Sequence, residues 1–566
     1  MLEGDQYWAH SKSEPIWLLL VQLRSPLIAL IVTYSISILG LVLIPGETDL
    51  GSPYYLSFLD AFYAVSYTAM TVGFGEIPYP FNQSQRLWML LVMYSTVIAW
   101  LYAIGSILSV FSDPAFHRIR SQNRSISQVR SHNEPFWILC GFDDTGFQLI
   151  RFLDQAKIRC VVVDEDPERI DCARLINLSY EPAVFLSDPS EPQILVDSGV
   201  SRPHCCGVLA LTGRDQINLM IATNARVLSP RLSVYSRSNT DFSTRNLRSF
   251  GTEVVIDPNR SIVHRLVQMI RRPNTYALHN ELIDPDFNQL SVHQLSDLGH
   301  WIICASGRFS ELVVEAFVRE GIPLCLVSRE PPEDPSVCDW VEGVGTEAIT
   351  LREAGILNAT GVIAGTTDDG DNLSILLTAL EEKPALFSVA RRNRSSSELV
   401  FRHGQFNEIL REDRVIAQEM FARIQTPLLN QFLGHLEAMP DSLVFDIIEK
   451  MSHRRSVEQS ELDHFALVLT AAQAPGVVEL LQKEATIKLG DLLIDPLREQ
   501  PLLPAICLLI ARLNADVIPI PGDELDLVLG DQLLLWGEAE ALNRIKFFIG
   551  RPDLFEANIK ESDPLL

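Results

Sequence analysis

The distribution of hydrophobic residues changes sharply along the chain near residue 111. Two long runs without a charged residue, 25–44 and 87–111, come first. A helix that spans a membrane needs about 20 such residues, so both runs predict spanning helices. Beyond them, short apolar runs alternate with amphipathic stretches, as in a globular protein. The chain is therefore expected to be part membrane protein and part soluble protein.

Basic residues beside the two runs predict their orientation. The intervening segment, 45–86, holds only Arg86, whereas several arginines lie within 112–134, and Lys12 and Arg24 precede the first run. Cytoplasmic flanks carry the excess of Lys and Arg, so both termini are expected in the cytoplasm of a multi-pass cell (inner) membrane protein. A signal peptide is the alternative for the first run, but that run begins late and a second one follows it.

The segment between the two runs contains a helix-like stretch, 57–70, followed by Thr71-Val72-Gly73-Phe74-Gly75-Glu76. It resembles the pore helix and selectivity filter of potassium channels, Thr-Val-Gly-Tyr-Gly-Asp. The glycines permit backbone conformations that are closed to other residues, so successive carbonyls can face one axis. In four copies these carbonyls would replace the hydration shell of K⁺. The resemblance implies a potassium-selective homotetramer in the lipid bilayer, and Phe74 leaves a weakly selective cation channel as an alternative.

The second run should line the inner pore, as in such channels, where many carry a glycine hinge midway along this helix. Here Ser95, Thr96 and Val97 lie near that point, and the only glycine of the run is Gly105. Ser and Thr hydroxyls can bond to a carbonyl one turn earlier and bend a helix. A bend or break at these three residues is therefore predicted, and a straight helix with buried hydroxyls is the alternative.

After residue 134, short apolar strands alternate with amphipathic helices, which predicts a parallel sheet covered by helices on both faces. The pattern then recurs. Trp301-Ile-Ile-Cys304 resembles Trp137-Ile-Leu-Cys140, and a Thr-x-x-Asp-x-x-Asn-Leu sequence begins at both Thr212 and Thr366. Matches in two places indicate an internal duplication.

Both copies resemble the RCK domain (regulator of K⁺ conductance) of ligand-gated potassium channels, and 517–537 resembles the C-terminal lobe of such regulators. The implied fold class is a membrane α-helical pore domain, with two spans and a re-entrant pore helix, followed by two tandem α/β Rossmann-like RCK domains and a small C-terminal α+β lobe. The expected divisions are a pore domain 1–111, a linker 112–134, a first RCK domain 135–298, the Rossmann-like lobe of the second 299–435, and the C-terminal lobe 436–566. A ring of such domains would control the pore.

The first copy keeps much of the dinucleotide fingerprint. Gly141 and Gly146 match the first and third glycines of G-x-G-x-x-G, and Asp164 suits a ribose hydroxyl. Asp143 replaces the middle glycine, where a carboxylate can repel phosphate. The candidate residues for NAD or ADP are Gly141, Phe142, Asp143, Asp144, Thr145, Gly146, Asp164, Glu165, Ser187, Asp188 and Thr212. The second copy has Ser310 and Ser328 in place of the third glycine and the acid, so no dinucleotide is expected there.

Composition narrows the remaining possibilities. The net charge of −26 argues against nucleic acid as a partner. Asp368, Asp369 and Asp371 offer oxygen ligands for Ca²⁺, but the favoured interpretation is that they are acidic residues at a helix N-terminus, where they suit the helix dipole. No catalytic constellation is visible, so the chain is not expected to be an enzyme, and a Rossmann-fold NAD-dependent oxidoreductase is the alternative. The sequence therefore predicts a potassium channel gated by adenine nucleotide, with Ca²⁺ as a further candidate ligand.

Overall fold

The structure is a computed structural model of the chain. It describes residues 14–48, 52–76, 79–111, 114–284, 298–454, 462–483, 485–494, 502–513 and 516–555. The chain divides into two compact units, Met1–Arg130 and Ser131–Leu566.

The N-terminal unit is built around two long apolar helices. Its elements are α1 (Glu14–Leu43), β1 (Gly46–Glu47), β2 (Pro53–Tyr54), α2 (Phe58–Ala69), α3 (Gln83–Phe111) and α4 (Pro114–Ser131). The segments Leu23–Leu43 of α1 and Gln83–Ser109 of α3 are each long and apolar enough to cross a membrane. Both apolar runs of the sequence are thus helical, and α2 occupies the position predicted for the pore helix.

Helices α1 and α3 pack closely through a tryptophan. A Cβ atom at Gly40 would lie 2.1 Å from the Trp88 ring, so only glycine leaves room for that side chain. The Trp88 indole N–H donates to the Ser37 carbonyl at 3.1 Å, and the Trp100 indole N–H donates to the Tyr34 hydroxyl at 3.1 Å. These two indole hydrogen bonds join the two helices along their length.

The second span has no interruption at the residues where a bend or break was predicted. Helix α3 continues through Ser95, Thr96 and Val97 without a break. The hydroxyls do bond backward: Thr96 donates to the Val92 carbonyl at 2.6 Å, and Ser95 donates to the same carbonyl at 3.1 Å. Because the backbone stays helical, the prediction of a break is wrong, and the bend alone stays a prediction. The segment 112–134, expected as a linker, is helical over Pro114–Ser131.

The soluble unit begins with a six-stranded parallel sheet in the spatial order β5-β4-β3-β6-β7-β8. Its strands are β3 (Phe136–Cys140), β4 (Arg159–Asp164), β5 (Ala183–Leu186), β6 (Cys205–Ala210), β7 (Ser233–Arg237) and β8 (Val254–Ile256). Its helices are α5 (Asp144–Gln155), α6 (Pro167–Leu175), α7 (Pro192–Asp197), α8 (Asp215–Leu228) and α9 (Asp241–Ser249). Strand β3 is buried along its whole length, as a central strand covered on both faces requires.

After α10 (Pro258–Arg271) and α11 (Pro273–Ile283), the second copy forms an equivalent sheet in the order β11-β10-β9-β12-β13-β14. Its strands are β9 (His300–Ala305), β10 (Leu324–Ser328), β11 (Asp339–Glu342), β12 (Ala359–Gly365), β13 (Phe387–Arg392) and β14 (Glu408–Arg411). Its helices are α12 (Gly307–Arg319), α13 (Ala348–Glu353), α14 (Asp369–Glu382) and α15 (Glu398–His403).

The duplication extends to individual hydrogen bonds. The Asn218 amide oxygen accepts from the Thr212 N–H and hydroxyl at 3.0 and 2.7 Å. Asn372 accepts from the Thr366 N–H and hydroxyl at 2.8 and 2.8 Å. Each asparagine fixes the loop that follows the fourth strand of its sheet, which explains why this sequence recurs.

The two Rossmann-like copies exchange helices. Helix α10, which follows the first sheet, packs in the core of the second copy, with Leu266 beside Trp301 and Phe309. Helix α16 (Glu412–Gln425), which follows the second sheet, packs on the first copy, where the Phe421 and Phe152 rings lie 5.7 Å apart. Each copy therefore completes its core with a helix from the other.

A third lobe closes the soluble unit. It combines α11 with α17 (Pro427–Ala438), α18 (Asp441–Arg454), β15 (Leu462–Val468), α19 (Pro475–Gln482), β16 (Ala505–Ala511), β17 (Val517–Pro519), β18 (Gln532–Glu538) and α20 (Ala539–Ile549). The four strands pair antiparallel in the order β15-β18-β16-β17. The expected boundary between residues 435 and 436 falls inside α17. Because that helix packs with the sheet of this lobe, the lobe begins before residue 436.

Candidate functional site

The segment predicted as a selectivity filter has an unusual backbone. Thr71, Gly73 and Gly75 have φ angles of +57°, +66° and +98°, and they alternate with Val72 and Phe74. Positive φ strains a threonine but not a glycine, so the two glycines are needed at their positions. The two glycines thus adopt the kind of backbone conformation, closed to other residues, that the sequence predicted for them.

Aromatic residues of α2 support this segment. The Phe74 ring stacks on Tyr63 with 6.3 Å between centroids and meets the Tyr67 ring edge-on at 6.0 Å. The Tyr67 hydroxyl donates to the Gly75 carbonyl at 2.5 Å. Phe74 thus packs on α2, the helix before the predicted filter. Sequence reasoning missed Tyr67. The only hint in the sequence is that Phe74 replaces the tyrosine of the potassium-channel motif, while Tyr67 lies on the helix just before it.

An ion pair ties the end of the segment to α3. Arg86 donates to both carboxylate oxygens of Glu76, at 2.9 and 3.0 Å, and the Phe81 N–H donates to the same carboxylate at 2.9 Å. Bidentate pairing of this kind fixes orientation as well as distance. Glu76 occupies the place of the aspartate in the potassium-channel sequence, so this residue holds the exit of the predicted filter.

In the soluble unit, two glycines shape the turn between β3 and α5. Gly141 has φ +99°, and a Cβ atom there would lie 2.8 Å from the Thr212 backbone nitrogen. A Cβ atom at Gly146 would lie 2.6 Å from the Gly141 carbonyl oxygen. Both positions therefore require glycine, and they bring the helix N-terminus against the sheet as a dinucleotide site does.

Asp143 occupies the N-terminus of α5. Its carboxylate accepts from the Thr145 and Gly146 N–H groups at 3.0 and 3.3 Å, as a helix cap does. The other carboxylate oxygen lies 3.7 Å from the Arg237 guanidinium. Burial raises the pKa of Asp143, and the Arg237 charge opposes that rise. The carboxylate thus already uses the N–H groups that would bind a phosphate.

Asp164, the predicted ribose acid, is almost fully buried at the end of β4. It accepts from the Phe142 N–H at 2.6 Å and from the Asp166 N–H at 2.8 Å, and Arg169 lies 3.5 Å away. The carboxylate therefore also organises the turn before α5. A ligand at this edge of the sheet would meet Arg169 together with Asp164.

The remaining predicted residues hold loops. Glu165 pairs with Arg214 at 2.5 Å, and Asp188 accepts from the Ser190 N–H and hydroxyl at 2.8 and 2.7 Å. Ser187 donates its hydroxyl to the Leu186 carbonyl at 2.7 Å. Thr212 is held by Asn218, as described above. None of these four residues lines the cleft in front of α5.

That cleft has a volume of about 540 Å³ and includes residues that sequence reasoning missed. Of the eleven candidates, Phe142, Asp143, Asp144 and Thr145 line it. The lining residues that were not predicted are Phe147, Asp166, Glu168, Arg169, Cys172, Arg237, Asn393, Glu412 and Asp413. The last three come from the second copy, so the cleft lies between the two copies. The sequence alone does not predict that the two copies meet here.

A carboxylate of α16 joins the two copies at this cleft. Glu412 accepts from Arg237 of the first copy at 2.6 Å and from Arg391 of the second at 3.0 Å. The two arginines occupy equivalent positions in the two sheets, at the ends of β7 and β13. On the other side, Asp144 accepts from the Ser395 N–H and hydroxyl at 3.1 and 2.8 Å.

The second copy has a larger cleft at the corresponding place. It measures about 970 Å³ and is lined by Ser306, Gly307, Arg308, Ser328 and Arg329, among others. Ser306 precedes α12 without a side-chain cap, and Gly307 has φ +65°. The cap that fills the first cleft thus has no equivalent among the described residues of the second. The sequence had predicted that no dinucleotide binds in the second copy.

The aspartates considered for Ca²⁺ have structural roles. Asp368 caps α14 by accepting from the Gly370 and Asp371 N–H groups at 2.8 and 3.0 Å. Asp369 accepts from the Asn393 N–H at 2.7 Å. Among the described residues, no group of three His, Cys, Asp or Glu side chains has a metal-holding arrangement. The structure thus supports the capping interpretation at this loop.

A family model of the TrkA-N domain matches residues 137–258 and 301–412. The matches coincide with the two parallel sheets, so the chain carries two TrkA-N domains in tandem. This result confirms the tandem regulatory domains expected from the sequence.

Three relatives share part of this chain. A Methanothermus fervidus protein described as uncharacterized is 27% identical over 236 residues, which cover 41% of this chain and 35% of its own. Potassium channel protein 1 of Methanocaldococcus jannaschii is 22% identical over 203 residues, 36% of this chain and 59% of its own. The voltage-gated potassium channel Kch of Escherichia coli is 23% identical over 208 residues, 37% of this chain and 48% of its own. The chain thus spans less than two thirds of each.

A solved structure described as the GsuK channel is 18% identical to this chain, covers 97% of it and 100% of its own length, and has a TM-score of 0.46. The GsuK channel bound to NAD covers 95% of this chain and 99% of its own length at 18% identity, with a TM-score of 0.44. TM-scores below 0.5 at 18% identity do not show which ligand this chain binds or how it works. Together with the tandem domains, the named relatives show that this chain is similar to prokaryotic potassium channels.

Proposed function

We propose that the chain forms a homotetrameric potassium-selective channel of the inner membrane, with both termini in the cytoplasm. The observation that carries the proposal is the Thr71–Gly75 segment, whose alternating backbone lies between two helices long enough to span a bilayer. Irregular backbone at membrane depth is stable only where it lines a cavity, and four copies around one axis would supply it. Tyr67 and Glu76 hold the segment in place.

The test is the reversal potential of the purified protein in a planar bilayer with K⁺ on one side and Na⁺ on the other. A potential near the K⁺ equilibrium value is expected. Gly73→Ala should abolish selectivity or current, because φ +66° strains alanine. Gly105→Ala is the matched control, since a Cβ atom there meets nothing within 4 Å. A wild-type reversal near zero would instead indicate the weakly selective cation channel and refute potassium selectivity.

We propose further that an adenine nucleotide, NAD or ADP, binds in the cleft before α5 and regulates the pore. Gly141 and Gly146 give the close approach of helix and sheet, and Arg169 and Arg237 offer positive charge to a pyrophosphate. Asp143 weakens the site, because a phosphate must displace its carboxylate or share the same N–H groups. The nucleotide is therefore expected to bind weakly and to act as a sensor of changing concentration.

A cysteine in the cleft provides a direct test. Cys172 and Cys206 are both exposed, but only Cys172 lines the cleft. Bound NAD⁺ or ADP should slow maleimide labelling of Cys172 and leave labelling of Cys206 unchanged, as read by peptide mass spectrometry. Equal labelling of Cys172 with and without saturating nucleotide would contradict nucleotide binding at this place.

Coupling between ligand and pore is proposed to pass through α4, which joins α3 to the first TrkA-N domain along the chain. A ligand that prefers one conformation shifts the population by its differential affinity. Inserting Gly-Ser residues near Ser121 should therefore weaken the response of open probability to nucleotide without changing the reversal potential. An undiminished response would contradict this route. Ca²⁺, added to the same bilayer, tests the separate prediction of a cation ligand.

A further inference from the structure

Another cleft, distinct from the clefts of the two copies, lies where the exchanged helices meet the third lobe. Four helices, α10, α11, α16 and α17, enclose a volume of about 490 Å³. Its lining is Arg260, Ser261, His264, Arg265, His279, Ile283, Glu419, Ala422, Arg423, Asn430, Leu433, Gly434 and Glu437. No part of the nucleotide cleft before α5 contributes to it.

Two buried side chains on its wall have unused donors or acceptors. Arg265 is 5% exposed, and its Nε has no hydrogen-bond partner within the described part of the chain. His279 is 9% exposed, and its Nδ1 likewise has none there. Buried polar atoms are nearly always hydrogen-bonded, so each unsatisfied atom points to a missing partner. Both residues line the same cleft, so a polar ligand bound there would lie against two side chains that each keep an unsatisfied atom.

Arg265 also has no direct ion pair within the described part of the chain. Its guanidinium donates to the amide oxygen of Gln418 at 2.5 Å, and no carboxylate of the described residues lies within ion-pair distance. Arginine stays charged in proteins, and a buried charge without a counter-charge is costly. Burial lowers the pKa of Arg265, and the charges of Glu419, Asp284 and Glu408 oppose that shift from a longer distance.

The two carboxylates of the cleft are paired with other groups. Glu419 lies 3.7 Å from Arg423, and Glu437 lies 3.2 Å from the His264 ring. Arg423 remains more than a third exposed beside the cleft. In a chain of net charge −26, this locally basic cleft is suited to an anion.

We propose that the cleft binds a small oxyanion, a phosphate group that is either free phosphate or part of a small phosphate ester. Arg265 and Arg423 bind its oxygens through charged hydrogen bonds, and the His279 ring supplies a further N–H. The volume accommodates an organic group attached to the phosphate. The ligand would join helices that complete the cores of both TrkA-N domains, so it would fix their relative position. Any effect of this ligand on the pore rests on the proposed channel function.

The test is calorimetric titration of the full-length protein in detergent with inorganic phosphate, at constant ionic strength maintained by chloride. Arg423→Gln is expected to weaken binding at least about tenfold, since one charged hydrogen bond is lost. The exposed Arg248→Gln is its matched control and should bind as the wild type does. Undetectable binding to the wild type, or equal binding by Arg423→Gln, would overturn the proposal.

A second variant separates loss of the site from loss of the fold. A Cβ atom at Gly434 meets nothing within 4 Å, so Gly434→Phe places a ring in the cleft while every charged side chain stays. It should abolish binding, and Gly434→Ala should not. Retained binding by Gly434→Phe would refute this location. Thermal unfolding of each variant confirms that it is folded.

Ribose 5-phosphate, titrated in the same way, distinguishes the two sources of phosphate. Tighter binding than inorganic phosphate assigns the site to an ester, and weaker binding assigns it to the free ion; either result supports the cleft. Phosphate should not protect Cys172 from labelling, because Cys172 lines the other cleft. This readout needs neither ion conduction nor nucleotide binding, so its failure is distinct from failure of the channel or of nucleotide regulation.

Discussion

Replacing Asp143 with asparagine is expected to tighten the binding of NAD⁺ to the first TrkA-N domain. Asparagine caps a helix as well as aspartate does, so the Thr145 and Gly146 N–H groups keep a partner, but the negative charge is gone. A phosphate that shares those N–H groups would lie about 4 Å from the carboxylate, and two like charges at that distance repel by about 4 kcal/mol at an effective dielectric constant of 20. Arg237, 3.7 Å from the carboxylate, offsets part of this repulsion.

The net gain is expected to be about 1.4 kcal/mol or more, which is at least tenfold in affinity. Isothermal titration of the full-length protein with NAD⁺ measures it at fixed salt. Asp171→Asn is the matched control, because Asp171 is an exposed carboxylate of α6 outside the cleft. Equal affinities of the Asp143→Asn variant and the wild type would refute the reasoning, and undetectable binding to both would remove nucleotide from this cleft.

The same residue predicts a pH dependence. Burial raises the pKa of Asp143, so its charge is lost at a higher pH than the ordinary value of about 4. As pH falls from neutral towards that range, the repulsion disappears and wild-type affinity for NAD⁺ should rise. Asp143→Asn carries no titrating group at this position and should show a flat profile. A wild-type affinity that falls with pH would contradict the assigned role of Asp143.

Three further substitutions test other contacts. Tyr67→Phe removes the hydroxyl bound to the Gly75 carbonyl, and the K⁺ to Na⁺ permeability ratio in the bilayer should fall because the filter loses a tie. Glu412→Gln removes the carboxylate shared by the buried Arg391 and the partly buried Arg237. Removal of one partner of a buried pair costs roughly 3 kcal/mol, so thermal unfolding should begin at a lower temperature. Gly146→Ala places a methyl group 2.6 Å from the Gly141 carbonyl oxygen, and should lower the denaturant midpoint by the equivalent of about 1–3 kcal/mol.

Each substitution has a control of the same chemistry. Tyr63→Phe keeps the ring stacked on Phe74 and should leave the permeability ratio unchanged. Glu479→Gln removes a half-exposed partner of a surface pair, which contributes little to stability. Gly213→Ala adds a methyl group where no atom lies within 4 Å. A test variant that behaves as its control would contradict the contact assigned to it.

The sequence predicted the architecture of the two sheets because their signals are local. Strand β4, for example, has an uninterrupted apolar run at 160–163, and the repeated Thr–Asn pair marks the same loop in both copies. Gly141, Gly146 and Asp164 were predicted for the same reason, since each lies in a turn whose geometry depends on a few adjacent residues.

What the sequence missed depends on distant contacts. Glu412 lines the first cleft because α16 crosses to the first copy, and no periodicity reveals such an exchange. Arg237, at the end of β7, and Asn393, just after β13, reach the same cleft from the two sheets. Asp143 was identified as an obstacle to phosphate, but its role as a helix cap required the positions of the N–H groups. The break predicted in α3 failed because the Thr96 hydroxyl bonds to a carbonyl while the backbone hydrogen bonds of the helix continue.

The exchange of α10 and α16 has a consequence for synthesis of the chain. The first sheet ends at Ile256, but the helix that covers Phe152 ends only at Gln425, about 170 residues later. At roughly 5–20 residues per second, a ribosome needs roughly ten to thirty seconds to make that interval. Throughout it, the nascent first domain exposes an apolar face. The protein therefore depends on protection of this face during translation, and a chain terminated between the two copies would leave it permanently uncovered.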